Sequence, residues 1–181
     1  GLFARNGGHI MADGTASASI AITNAGDVGV FGFNGGVVNA AYVTVDNVRD
    51  VANSLGFGFA AEQGGNVYAD NASATNCLVA GFEANTGGTL RAFNASSTGN
   101  DGHGVMAFLG GVCSVRGATL TGNTEYGIYD DGTGIIYYAA ATVSGNTAGQ
   151  KFIPITYSGL NIGMREDGAS PTFNLDIFRS T

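Results

Sequence analysis

The stretch GFEANTGGTLRAFNASSTGN (residues 81–100) is followed, 23 residues further along the chain, by GVMAFLGGVCSVRGATLTGN (residues 104–123). In each copy a glycine stands six residues ahead of a Gly-Gly pair, and the copy ends on Gly-Asn. The same glycine spacing recurs at Gly1, Gly29 and Gly58, and with Thr133-Gly134 after Gly127. A fixed period of this kind is typical of a stacked repeat.

Apolar residues recur at fixed offsets from each glycine pair, on every second position over short stretches, and this alternation is the period of a β-strand. Three columns carry the pattern: Leu2, Val30, Phe59, Phe82, Val105 and Ile128; Ile10, Val38, Val67, Leu90, Cys113 and Ile136; and Ser17, Val45, Ala74, Ser97, Leu120 and Val143. Asn100, Asn123 and Asn146 form a further column at a corner and predict a ladder of stacked amides. Short strands separated by glycine corners therefore alternate along each repeat.

These patterns predict an all-β fold, a single-stranded, right-handed parallel β-helix of about six rungs with a C-terminal β cap. One rung cannot bury its inward side chains alone, and stacking the rungs makes a continuous core. We expect the β-helix to span residues 1–149 and a cap or oligomerisation segment to span 150–181, with alternating strands at 152–157 and 172–178. Because the chain starts inside a repeat and without Met, we also expect rungs upstream of Gly1.

The first two repeats are longer than the others, and their extra residues are expected at one corner, at 23–28 and 51–57. Insertions of a solenoid go to loops on one edge, which is often the working edge. Two interpretations stay open, a functional edge or loops that only shield the sheet.

Composition excludes several classes of function. Of 181 residues, only seven are Lys or Arg and the net charge is −7, so a nucleic-acid footprint or an anionic membrane surface is not expected. No apolar run is long enough for membrane insertion. Cys77 and Cys113 are expected to be free thiols, and neither has zinc-site spacing with a histidine. We therefore predict no metal and no cofactor.

The outward face of the strand that precedes each glycine pair is rich in aromatic residues. An exposed apolar patch marks an interface or a ligand platform. The residues expected at a subunit interface are Phe3, Phe31, Phe33, Met106, Phe108 and Tyr129. Their rings could instead stack on sugars, but a self-interface is the interpretation we favour.

The next outward face carries candidates for ligand binding, Tyr68, Arg91 and Tyr137. Tyr68 and Arg91 are adjacent in one ladder and could hydrogen-bond a saccharide. The alternative is a stacked pair on a solvated face. Both interpretations remain open from the sequence.

Glu62 and Glu83 are the candidate catalytic pair. They are expected one rung and two residues apart on one face, with Cα atoms about 8 Å apart. That separation falls in the range of roughly 6.5–9.5 Å that inverting glycosidases use between carboxyl groups. A solvated surface pair satisfies the same spacing, so catalysis is not the favoured interpretation.

A further column, five places after the first glycine of each pair, contains Ala12, Ala40, Ala69 and Ala92. The glycine-punctuated rungs, these alanine and asparagine columns, the low charge and the non-repeating C-terminal segment resemble the shaft and tip of a bacteriophage tail fibre or tailspike. The resemblance covers residues 1–149 and is architectural. It implies a homotrimer of parallel β-helices, located in the virion tail and acting outside the host cell. It also implies binding of a bacterial surface glycan, such as capsule or lipopolysaccharide, which some members hydrolyse or eliminate.

Two hypotheses about function therefore stay open. The first is a structural, receptor-binding fibre, and the second is a polysaccharide depolymerase, a hydrolase or lyase that uses the acidic pair. A third, weaker candidate is a secreted β-helix adhesin or pectinase-like monomer. The aromatic outward face argues against a monomer.

Overall fold

The computed structural model describes residues 1–157 and 160–165, and this part of the chain contains strands and turns but no helix. The strands form three sheets. Sheet 1 consists of β1 (Leu2–Arg5), β4 (Val28–Phe33), β7 (Phe57–Glu62), β10 (Ala80–Asn85), β13 (His103–Phe108), β16 (Tyr126–Asp130), β19 (Gly149–Tyr157) and β20 (Leu160–Arg165). Sheet 2 consists of β2 (His9–Met11), β5 (Val37–Asn39), β8 (Asn66–Tyr68), β11 (Thr89–Arg91), β14 (Val112–Ser114) and β17 (Ile135–Tyr137). Sheet 3 consists of β3 (Ile20–Thr23), β6 (Val43–Asp46), β9 (Ser73–Thr75), β12 (Ser96–Thr98), β15 (Thr119–Thr121) and β18 (Thr142–Ser144).

From β1 to β19 each strand pairs in parallel with the strand one rung away, which confirms the predicted right-handed parallel β-helix of about six rungs. In sheet 1, Phe82 lies between Phe59 and Val105, and in sheet 2 Leu90 lies between Val67 and Cys113. The register follows the repeat, so residues at equal offsets from the glycine pair lie above one another. This alignment converts the sequence period into straight columns along the axis.

The inward columns of the three sheets meet in one buried core. Phe59 and Phe82 are fully buried, with ring centroids 5.2 Å apart. Cys77 and Cys113 are both free, as predicted, and both are buried. Burial raises the pKa of the Cys77 thiol to about 12. The thiols therefore pack as small apolar side chains.

The glycine pair forms the corner between sheets 1 and 2, and each of its two positions requires glycine for a different reason. The first glycine has a positive φ, as at Gly87 (φ 72°), after a residue that is also left-handed, Thr86 (φ 48°). The amide of Gly88 donates to the carbonyl of Asn85 at 2.9 Å, which closes a two-residue turn. A Cβ atom on Gly88 would lie 2.0 Å from the carbonyl oxygen of Ala61 in the rung below. The second glycine thus permits the rungs to stack closely.

The asparagine column forms the predicted amide ladder. The side-chain oxygen of Asn123 accepts from the backbone amide of Asn100 (3.1 Å) and from its side-chain amide (2.8 Å). Asn123 donates in turn to the side-chain oxygen of Asn146 at 2.9 Å. Below the ladder, the amide of Cys77 donates to Asn100. A buried polar column is therefore satisfied by its own copies.

The first rung differs from the prediction. Ile22, not Ser17, pairs with Val45 and occupies the inward column of sheet 3. The extra residues of this rung lie between β2 and β3, where Thr15 and Ala18 form an isolated bridge, and not at 23–28. The second insertion lies where it was expected, and there Arg49 forms an ion pair with Asp101, two rungs away.

The C-terminal end of sheet 1 changes strand direction. β19 still pairs in parallel with β16 up to Phe152, and its other edge pairs antiparallel with β20. An antiparallel strand therefore covers the open edge of sheet 1. The strand expected at 172–178 lies outside the described residues.

Candidate functional site

A groove crosses the outer face of sheet 2 and the corner that follows it. Its volume is about 220 Å³. Four successive rungs contribute the lining, which consists of Met11, Asp13, Asn39, Ala41, Tyr68, Asp70 and Arg91. The strands place these side chains because Met11, Asn39, Tyr68 and Arg91 share one column. The groove therefore contains two of the three predicted ligand-binding residues.

Arg91 is held rigidly at the end of this groove. Its Nε and Nη2 donate to the two carboxylate oxygens of Asp70, at 3.1 and 2.6 Å. The guanidinium carbon lies 5.0 Å from the ring centroid of Tyr68 and 5.3 Å from that of Phe93. The amide of Phe93 also donates to Asp70, at 3.0 Å. A bidentate ion pair with aromatic contacts on the cation fixes the guanidinium in one orientation.

Tyr137 lies outside the groove. It shares the column of Arg91, but Ser114 separates the two, so Tyr137 is about 9.6 Å further along the axis. Sequence reasoning missed Asp13 and Asp70, which follow the outward columns of β2 and β8 by two residues. The two-residue spacing of Tyr68 and Asp70 could have identified Asp70, because it continues the strand alternation across the corner.

The outer face of sheet 1 carries the residues predicted for a subunit interface, but their exposure varies. Phe3 is 44 % exposed, whereas Phe31 is only 9 % exposed. The two rings meet edge to face, with centroids 6.1 Å apart. Leu55, from the second insertion, packs against the cluster that contains Phe31. One insertion therefore shields part of this face, while Phe33, Met106, Phe108 and Tyr129 stay half-exposed.

A second aromatic group lies at the C-terminal end of the same face. The rings of His103 and Tyr129 stack with centroids 4.5 Å apart, and those of Tyr129 and Phe152 with centroids 5.2 Å apart. Burial lowers the pKa of His103 to about 4, so the imidazole is neutral at pH 7. Its Nδ1 accepts a hydrogen bond from the amide of Tyr126 at 3.3 Å. Rings stacked on one another present mainly their edges, which suits protein packing better than sugar stacking.

Glu62 and Glu83 also lie on the outer face of sheet 1, one rung and two residues apart, as predicted. Glu83 is 1 % exposed, and its Oε2 has no hydrogen-bond partner within the described residues. Burial, with a smaller contribution from the charge of Glu62, raises the pKa of Glu83 to about 8. Burial also raises the pKa of the half-buried Glu62. At pH 7 Glu83 is therefore mainly a neutral acid.

Within residues 1–157 and 160–165, no group of three or more His, Cys, Asp or Glu side chains is arranged to hold a metal ion. The same part of the chain contains no helix of the length and apolarity needed to cross a membrane.

Comparison with known proteins finds no match for this chain among protein-family models, curated proteins or solved structures.

Proposed function

We propose that this chain belongs to a bacteriophage tail fibre or tailspike, and that it is a structural and receptor-binding protein for a bacterial surface polysaccharide. The observation that carries the proposal is the sheet 2 groove, in which Arg91 is fixed by Asp70 and by the ring of Tyr68. Side chains that are rigid before binding lose little entropy when a ligand arrives. Aromatic, amide, carboxylate and guanidinium groups in one groove can contact both the faces and the hydroxyl groups of sugars.

Binding is tested on an array of bacterial capsular polysaccharides and lipopolysaccharide O-chains. We expect Tyr68→Ala and Arg91→Ala to weaken binding at least tenfold. The matched control is Arg116→Ala, because Arg116 is exposed one rung away, also contacts Phe93 and does not line the groove. Equal binding by all three variants would place the site elsewhere, and absence of binding to every glycan would refute the receptor function.

The assembly that goes with this proposal is a homotrimer packed through the outer face of sheet 1. Phe3 and Phe152 remain exposed there, and half-exposed side chains such as Met106 lie between them. Burying the apolar side chains that stay exposed on this face stabilises association. Sedimentation equilibrium is expected to give three times the chain mass of 18.2 kDa. A monomer at all concentrations would refute the assembly.

The second candidate function is a polysaccharide depolymerase, and the raised pKa values of Glu62 and Glu83 favour it. A neutral acid beside a carboxylate is the combination that glycosidases use. However, Glu83 is buried between Ala60 and Met106, so a substrate could reach it only after side chains move. We therefore favour binding without cleavage. Release of reducing ends or unsaturated products, abolished by Glu62→Gln or Glu83→Gln, would establish the enzyme instead.

A further inference from the structure

The size of the sheet 2 groove matches a short stretch of a chain-like molecule. The lining comes from four rungs, so the groove extends about 14 Å along the axis, at roughly 4.8 Å per rung. Its volume of about 220 Å³ is small. Pockets that enclose a whole small molecule begin at roughly 300 Å³. A groove of this length and volume has the dimensions to contact one side of an oligosaccharide that runs parallel to the axis of the β-helix.

The polar groups that line the groove include both hydrogen-bond donors and hydrogen-bond acceptors. Asp70 is occupied by Arg91 and the amide of Phe93. Nη1 of Arg91, the hydroxyl of Tyr68 and the carboxylate of Asp13 make no hydrogen bond within the described residues. A guanidinium donates to hydroxyl or carbonyl oxygens, and a carboxylate accepts from hydroxyl groups. Sugar hydroxyl groups can satisfy all three.

The charges of the groove oppose an anionic ligand. Asp70 neutralises Arg91, and the carboxylate of Asp13 then leaves the groove with one net negative charge. The whole chain has a net charge of −7, which adds a repulsive field at low ionic strength. One pair of like charges 4 Å apart in water costs about 1 kcal/mol, and Asp13 is exposed, so the cost of an anionic group beside it is of this order.

We infer that this groove takes an uncharged oligosaccharide, laid along the axis across the first four rungs, and that it discriminates against glycans with uronate, sialate or phosphate groups. The inference rests on the proposed glycan-binding function and names the class of glycan.

The test uses uronate-containing capsular oligosaccharides and the same oligosaccharides after chemical reduction of their carboxyl groups. The pair shares one backbone and differs only in charge. We expect the reduced form to bind at least tenfold more tightly, with an affinity that salt does not change. Added salt should strengthen binding of the acidic form, because it screens repulsion.

Asp13→Asn is expected to improve binding of the acidic form about fivefold, because it removes the unpaired charge of the groove. Glu125→Gln makes the same charge change at an exposed position outside the groove and should alter binding less than twofold. Equal or tighter binding of the acidic form would overturn the inference and leave the receptor function intact. Failure of both forms to bind across the panel would overturn the receptor function as well.

Discussion

The buried carboxyl group of Glu83 makes the stability of the β-helix depend on pH, and Glu83→Gln should remove the contribution of this group to that dependence. Burial, with the nearby charge of Glu62, raises the pKa of Glu83 from 4.5 to about 8, so the folded chain holds a proton that the unfolded chain releases. Below pH 4.5 both states are protonated, and the full stability is present. As the pH rises from 4.5 to about 8, the unfolded state alone ionises, and stability falls.

The magnitude follows from the size of the pKa shift. Each unit corresponds to about 1.4 kcal/mol, so the loss approaches about 5 kcal/mol at and above the folded pKa and is about 3 kcal/mol at pH 7. The glutamine side chain of the variant would keep the shape of the glutamate without an ionisable group. The free energy of unfolding of the variant, relative to the native chain, should therefore rise with pH by several kcal/mol.

The assay is urea denaturation of both proteins at intervals between about pH 5 and about pH 9. Glu125→Gln serves as the control, because Glu125 is exposed. Its stability curve should run parallel to that of the native chain. If the curve of Glu83→Gln is also parallel to the native curve, Glu83 is not buried as described.

Three further predictions concern the corners and the amide ladder, and urea denaturation measures each of them. Gly88→Ala should lower the free energy of unfolding by more than about 3 kcal/mol, because its Cβ would meet the carbonyl of the rung below. Gly87→Ala should lower it by only about 1 kcal/mol, because Gly87 has open space around it and the cost comes from its φ of 72°. Equal losses in the two variants would contradict the close stacking. Asn123→Ala should cost about 3 kcal/mol, because it leaves buried donors of the neighbouring asparagine unpaired, and a loss below about 1 kcal/mol would argue against a closed ladder. Leu109→Asn should stabilise the chain by about 0.5 kcal/mol, because Leu109 is 61 % exposed and left-handed (φ 49°), a conformation that asparagine adopts more readily; destabilisation would contradict this account of the turn.

The rung architecture could be predicted from the sequence because the same pattern of glycine and apolar residues occurs in six successive repeats. The columns through Phe82 and Leu90, and the amide ladder at Asn123, lie where the offsets put them. The prediction was wrong at Ser17, because an insertion can enter a rung at any corner, and a fixed offset from the glycine pair then ends short of the strand Ile20–Thr23. Ile22 occupies that column instead.

The candidate site was predicted only in part. Strand alternation brought Tyr68 and Arg91 together and, continued across the corner, puts Asp70 on the same side. It could not show that Asp70 binds Arg91, because the backbone conformation of a corner beyond the end of the strand decides where that carboxylate lies. The sequence also could not show that a residue on an outward face is buried. Glu83 is outward yet buried, because its exposure depends on the bulk of neighbours from three rungs and not on its own position in the pattern.

The stacking of rungs can be tested directly by distances between spin labels on the outer face of sheet 3. Labels are placed on cysteine pairs in a Cys77→Ala, Cys113→Ala background, one pair at Ser96 and Thr119 and the other at Ser96 and Thr142. Ser96 pairs with Thr119, and Thr119 pairs with Thr142, so the backbone separations should be about 4.8 Å and about 9.6 Å. Stronger dipolar broadening for the first pair than for the second is the expected result. Broadening that is equal in the two pairs, or absent from the first, would contradict the parallel β-helix.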